Sequence, residues 1–238
     1  MTARRTVLTR SFAAASVGVL AGLAGCSAAP PPATTPTFVS PAASPSSTSK
    51  GTPRVRVATV GDSLMSGFGL DLGDAWPVLL AGRAHLSLTN LACAGMGFVV
   101  SGDCGTPYSG FAPALAALQP QIVIVESSSN DFGQSADDIH SATITTVEEM
   151  HEAAPKARMV GLSTIWNDEE TVPEDTAVTS DALKDAMGMV DGTFIDVGQP
   201  LQGHPDWMQE DDVHPTPRGQ RAIEQTVMSK LQEADILP

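Results

Sequence analysis

Five short runs rich in β-branched residues, RVRVATV (54–60), SLTNLA (87–92), QIVIVES (121–127), ARMVGLS (157–163) and TFIDV (193–197), are separated by segments of helix length. This alternation constrains the fold more than any other feature, because strands joined through helices pair in parallel and bury both faces of their sheet. The unbroken apolar centre of QIVIVES fits a strand covered on both sides. Helices are expected near 75–84, 111–118, 136–154, 179–189 and 217–234. The acidic stretch IWNDEETVPEDTA (165–177) reads as a surface loop close to the strand ends. The expected architecture is an α/β fold, a three-layer α/β/α sandwich around a five-stranded parallel sheet. In such sheets ligands bind beyond the carboxyl ends of the strands, where the strand order reverses.

The first quarter of the chain has a different character. Arg4, Arg5 and Arg10 precede SFAAASVGVLAGLA, an apolar run of 14 residues. That is shorter than the roughly 20 residues a membrane span needs, so 1–25 reads as a secretory signal rather than an anchor helix. LAGC (23–26) resembles the lipobox of bacterial lipoprotein precursors, which implies cleavage before Cys26 and lipid on its sulfur. ARRTVLT resembles a twin-arginine export signal with departures at Ala3 and Val7, which leaves the export route open. Residues 27–53 hold seven prolines and eleven serines or threonines and almost nothing large enough to bury. With Cys26 they form a disordered tether over 26–53, and the folded domain is expected over 54–238. The expected location is extracytoplasmic, with the chain lipid-anchored to the bacterial cell membrane through Cys26.

Charge and cysteines narrow the function further. The formal charge of −14 becomes −17 once the three leader arginines are removed. Such a surface repels phosphate backbones and anionic lipid, so no nucleic-acid partner is expected, and lipid rather than basic charge must hold the chain to a membrane. After Cys26 only Cys93 and Cys104 remain. In an exported protein they are most simply a disulfide, the alternative being two separate buried thiols.

The first run ends in VGDSLMSGFG, which delivers Ser63 through a glycine turn. Alone this is ordinary turn chemistry. Similar polar ends follow the second run, NLACAGMGF with Asn90, Gly95 and Gly97, and the third, SSSNDFG with Asn130 and Asp131. Near the far end, QEDDVHPTPRGQ places Asp211 three residues before His214, with Thr216 and Pro217 as the cap and first residue of the last helix.

These four blocks, in this order and in these strand contexts, resemble the SGNH hydrolases, also called GDSL esterases and lipases, over about 160 residues from Val57 to the helix after His214. The resemblance implies a flavodoxin-like SGNH hydrolase fold. It implies Ser63 as nucleophile, His214 as base and Asp211 as its orienter, with Gly95 and Asn130 joining the Ser63 amide as oxyanion donors. One position departs from the family: its third block usually reads GxND, and Ser128 stands where the glycine would be.

The chemistry can be argued independently. A serine hydroxyl needs a base that takes its proton and returns it to the leaving group, and a free imidazole, with a pKa of about 6.5, suits both transfers. An aspartate on the second ring nitrogen fixes the tautomer. Asp211 has the spacing for this, and Asp212 competes with it. Each residue also has a plainer reading: His214 as a turn residue, Asn130 and Asp131 as helix caps, Gly95 as a turn glycine. His85, His140, His151 and His204 lack a partner pattern, and Trp166, Trp207 and Met208 read as packing residues before pocket residues. No zinc or nucleotide motif is present, so no cofactor and no metal are expected.

The sequence thus points to an exported serine esterase that cleaves short-chain acyl or O-acetyl esters through an acyl-enzyme, acting as a monomer on an acylated glycan or lipid. The alternatives are an acyltransferase on envelope glycan or lipid, and a catalytically silent surface lipoprotein that binds glycan or protein.

Overall fold

The computed structural model describes residues 53–237. The leader, Cys26 and nearly all of the tether lie outside the described residues. Five strands, β1 (Arg56–Val60), β2 (Ser87–Asn90), β3 (Ile122–Glu126), β4 (Arg158–Leu162) and β5 (Thr193–Ile195), form one sheet in the order β2-β1-β3-β4-β5. All four pairings are parallel, with Val57 opposite both Leu88 and Ile122, and Val60 opposite Val125. Each strand lies inside the run expected of it.

Six helices follow: α1 (Ser63–Ser66), α2 (Trp76–Arg83), α3 (Ala112–Leu118), α4 (Ala136–Ala153), α5 (Asp175–Met189) and α6 (Pro217–Glu233). Side chains alternate across each strand, and this sorts the core into two layers. Val57, Ile122 and Ile124 pack with Trp76 and Leu80 of α2 and with Ile223, Val227 and Leu231 of α6. Ala58, Val60, Val123 and Val125 pack with Leu115, Val147, Met150, Leu183 and Met187 of α3, α4 and α5. Burying a side chain of the size of Leu183, which is 0% exposed, contributes roughly 1.5–3 kcal/mol. Helix starts follow local chemistry. Ser135 accepts the Asp138 N–H at the head of α4, and Thr216 caps α6 with Pro217 in its first position, as the sequence predicts.

Two details differ from expectation. Helix α5 starts at Asp175, four residues early, inside the stretch that reads as acidic loop. Helix α1 is a single turn, too short to show any periodicity in sequence.

β2 lies on one side of β1 and all later strands on the other. The order therefore reverses between β1 and β3, and the crevice expected of a doubly wound sheet opens beyond Val60 and Glu126. Among the described residues no helix is long and apolar enough to cross a membrane.

Candidate active site

The turn after β1 is built around Asp62. Its Oδ1 accepts the Leu64 N–H at 2.9 Å and caps α1, making Ser63 the first helical residue. A residue there has no intrahelical partner for its N–H, and no described group accepts the Ser63 N–H. Gly67, at φ +74°, ends the helix after one turn. The chain then returns so that the Phe68 N–H bonds Ser63 O at 3.0 Å. Ser63 is 6% exposed, and its hydroxyl donates to no other described residue.

Two further segments close on this turn. Gly95, at φ +74°, sits in a loop tied by the disulfide Cys93–Cys104, whose Cα atoms are 6.3 Å apart. No described acceptor takes the Gly95 N–H. After β3, Ser128 caps a 3-10 turn over Ser129–Asp131 by accepting the Asn130 N–H at 3.0 Å. The Ser128 hydroxyl donates to Asp62 Oδ2 at 2.6 Å and lies 3.0 Å from Met96 O. Asn130 Nδ2 donates to Met96 O at 2.9 Å and is 3.5 Å from Asp62 Oδ2. The amide thus meets two acceptors, Met96 O closely and Asp62 Oδ2 at the long limit of a hydrogen bond. Asp131 is 0% exposed and accepts N–H bonds from Phe98, Val99 and Val100 at 2.6, 3.1 and 3.1 Å. A Cβ on Gly97 would overlap its carboxylate, which accounts for that glycine.

The fourth segment is the loop before α6. Met208 pairs with Pro215 in an isolated antiparallel bridge, and the Gln209 N–H bonds His214 O at 2.7 Å. Asp211 folds back over the loop. Its Oδ1 accepts the N–H groups of Val213 and His214 at 3.1 and 3.0 Å, and its Oδ2 lies 2.6 Å from His214 Nδ1. Asp211, and not Asp212, therefore partners the imidazole; Asp212 instead takes the positive φ of +55° that the turn requires. Gln209 Nε2 donates to Phe68 O at 2.9 Å, and the Phe68 ring packs on His214 with centroids 4.5 Å apart. These contacts join the histidine loop to the segment leaving Ser63.

The sequence model of the GDSL-like lipase/acylhydrolase family matches residues 59–222, more than two thirds of the chain. The chain belongs to this family. Membership makes it a serine hydrolase of ester bonds. No curated relative matches it by sequence. Several solved structures share the GDSL fold at low identity. A psychrotrophic esterase from Pseudoalteromonas sp., inhibited by monoethylphosphonate, aligns with a TM-score of 0.62 at 17% identity over 75% of this chain and 97% of that one. A family two carbohydrate esterase from Clostridium thermocellum in complex with cellohexaose gives 0.63 at 14%, over 76% and 66%. A salicylyl-acyltransferase from a tetracycline biosynthetic pathway gives 0.63 at 18%, over 79% and 57%.

Electrostatics in this GDSL chain separate the two sides of the site. Burial raises the Asp62 carboxyl above its ordinary value, against the hydrogen bonds from Ser128 and Leu64 and the nearby charge of His214, which lower it. Burial likewise raises Asp131, opposed by its three N–H donors. Glu126, 1% exposed at the end of β3, is pushed well above the ordinary glutamate value by burial and then by the charge of Asp62, so it favours its neutral form. Asp211 moves the other way, to about 2, chiefly through its bond with the His214 ring and then the His214 N–H.

Asp62, Ser128, Asp131 and Phe68 carry parts of the site that the sequence reading did not assign. A serine two residues before Asn130 is a recognisable cap pattern, but its link to Asp62 spans 66 residues and leaves no local trace. The remaining histidines lie elsewhere: His140 meets Asp185 at 3.4 Å and His204 stacks on Trp207. Trp207 and the buried Met208 pack as expected. Trp166 does more, lining a small cavity with Leu64, Ser129, Ile165, Asn167 and Val213. A larger groove of about 620 Å³ beside α5 includes Ser163, Lys184 and Asp196 but none of the predicted site residues. Among the described residues no group of His, Cys, Asp and Glu could hold a metal ion.

Proposed function

We propose that this chain is an exported, lipid-anchored esterase that cleaves short-chain carboxylic esters through an acyl-enzyme on Ser63. In this reading Ser63 Oγ attacks the ester carbonyl while His214 takes its proton, and Asp211 on Nδ1 holds the ring and favours its charged form. The oxyanion sits among the N–H groups of Ser63, Gly95 and the Asn130 amide. His214 then gives the proton to the departing alkoxide, and the alcohol leaves. Water, deprotonated by the same ring, attacks the acyl-enzyme and releases the carboxylic acid. All these groups come from one chain, so the reaction needs no second copy, in keeping with a monomer.

The observation that carries the reading is the pair of backbone N–H groups, of Ser63 and Gly95, that have no described acceptor, together with an imidazole held by an aspartate on the loop that packs against Phe68. Fluorophosphonate labelling of the purified protein tests it. The native chain should label, Ser63→Ala should not, and an unlabelled native chain overturns the assignment. The fold likeness to carbohydrate esterases supports a carbohydrate ester as substrate; with the proposed envelope location, O-acetyl groups on envelope glycan are the candidate, which acetate release from acetylated wall polysaccharide would measure. The likeness to an acyltransferase supports a second reading, in which a sugar or lipid hydroxyl replaces water; adding such an acceptor would then divert acyl groups from the free acid.

The proposal extends to domain layout and place. Residues 1–25 act as the signal, lipid on Cys26 anchors the chain, 26–53 form the tether and 54–238 the catalytic domain. Radiolabelled palmitate should enter the native precursor and not the Cys26→Ser variant.

A further inference from the structure

The stretch QEDDVHPTPRGQ begins and ends on a glutamine, Gln209 and Gln220. Both side chains reach back to the turn that carries Ser63. Gln209 Nε2 donates to Phe68 O at 2.9 Å, across 141 residues of chain, and to Pro215 O at 3.0 Å. Gln220 Nε2 donates to Leu64 O at 2.9 Å, across 156 residues, and its Oε1 accepts the Trp76 N–H at 2.8 Å. Leu64 directly follows Ser63 in the chain, and the Phe68 N–H bonds Ser63 O at 3.0 Å. One glutamine before His214 and one after it are thus fastened to carbonyls at the start of α1 and just past its end.

The bonds inside the histidine loop cannot do this work. Asp211 holds Val213 and His214, and the Gln209 N–H holds His214 O at 2.7 Å, but every partner in that set moves with the loop. They set its shape and not its place. Of the bonds that leave the loop, Asn167 Nδ2 reaches Asp212 O at 3.3 Å from the segment after β4, whereas the glutamine bonds lead to the segment after β1. Both acceptors of Gln209 are carbonyl oxygens, which only its NH₂ can satisfy, so the amide has one orientation. Gly69 makes room for it: its φ is +77°, and a Cβ there would lie 2.5 Å from Gln209 Oε1. Gln220 is 0% exposed, with donor and acceptor both used.

We propose that Gln209 and Gln220 are positioning residues for ester cleavage: they fasten the chain on either side of the base to the turn that carries the nucleophile, so that the His214 ring and the Ser63 hydroxyl keep one relative placement. The inference rests on the reading of Ser63 as nucleophile and His214 as base. Each glutamine acts through the loop it holds and not on the substrate.

Gln209→Met and Gln220→Met keep the length of the side chain and remove its hydrogen bonds. Hydrolysis of p-nitrophenyl acetate by the full chain, with kcat expressed per Ser63 titrated by a fluorophosphonate, tests the proposal beside thermal melts. A small misplacement of a catalytic group can cost as much as a hundredfold in rate, so Gln209→Met should lose about 10- to 100-fold in kcat, with KM and Tm close to native. Gln220→Met should lose kcat per titrated site as well, and Tm with it, since the Trp76 N–H and Leu64 O are left without partners. A loss confined to Tm or to the number of titrated sites, with kcat per site unchanged in both variants, makes the glutamines structural only and overturns the proposal; a change in KM alone overturns it too. Absence of Ser63-dependent labelling of the native chain overturns the nucleophile and the positioning role together.

Discussion

Ser63, Ser128 and Asp131 are 6%, 1% and 0% exposed and stand at the ends of β1 and β3, whereas the side chains of His214 and Asp211 are 16% and 45% exposed on a loop closed by one isolated bridge. Within the first group Ser128 and Asp131 are fixed by tertiary hydrogen bonds, to Asp62 and Met96 and to the Phe98–Val100 backbone, and Ser63 follows the Asp62 that Ser128 holds. The second is fixed mainly by bonds within six residues of chain. The difference separates two demands on such a site. Donors for a developing oxyanion act through preorganisation and must be rigid, while a base that exchanges protons with water has to meet solvent. On the proposed reading, residues on the buried side serve stability and chemistry together, and residues on the exposed side serve chemistry almost alone.

The largest test of that contrast is His214→Ala. It should lower kcat by about 10⁴-fold or more with little change in Tm, as read by initial rates and thermal melts. A large fall in Tm would break the comparison. Asp131→Ala should do the opposite in proportion. Three N–H groups lose a buried acceptor, at a cost of about 3 kcal/mol or more, which is a fall of roughly 6–12 °C for a domain of this size. Ser128→Ala comes next: with Asp62 Oδ2 and the Asn130 N–H both deprived of their partner, kcat should fall by about tenfold while KM holds, because the lost positioning concerns a donor used mainly in the transition state.

The smallest effect concerns pH. Asp211 titrates near 2 when folded against an ordinary 3.8. Its pKa is lowered on folding, so its contribution to stability is present above 3.8 and is lost as pH falls through about 2. The Tm difference between the native chain and Asp211→Asn, about a degree at so exposed a pair, should persist at pH 5 and close in that acid window. A difference that grew on acidification would contradict the assigned pairing.

The five strands were legible because β-branched runs of strand length, parted by helix-length segments, admit few other folds. The start of α5 was not. Pro173 and the acids at 174 and 175 look like loop, yet a proline just ahead of a helix and an acid in its first turn both suit a helix head. Ser63, Gly95, Asn130, Asp211 and His214 were readable as motifs, and the structure brings their segments together. What the motifs did not reveal is what holds them. Ser128 looks like a departure from the family pattern, and its use appears only when β3 lies beside β1 and the hydroxyl meets Asp62. Trp166 likewise read as packing, and only folding sets its neighbours against Leu64 and Val213.

The hydroxyl of Ser128 acts as a cross-tie between two strand ends, and such a tie depends on alignment. Because Val60 stands opposite Val125, a slip of β3 by one residue would carry Ser128 to the wrong face and detach the amide of Asn130 from the turn of Ser63. The ladder register deep in the sheet is thus also the setting of the proposed oxyanion hole, and on that reading a core substitution far from any substrate that loosened this register would be felt first as lost turnover.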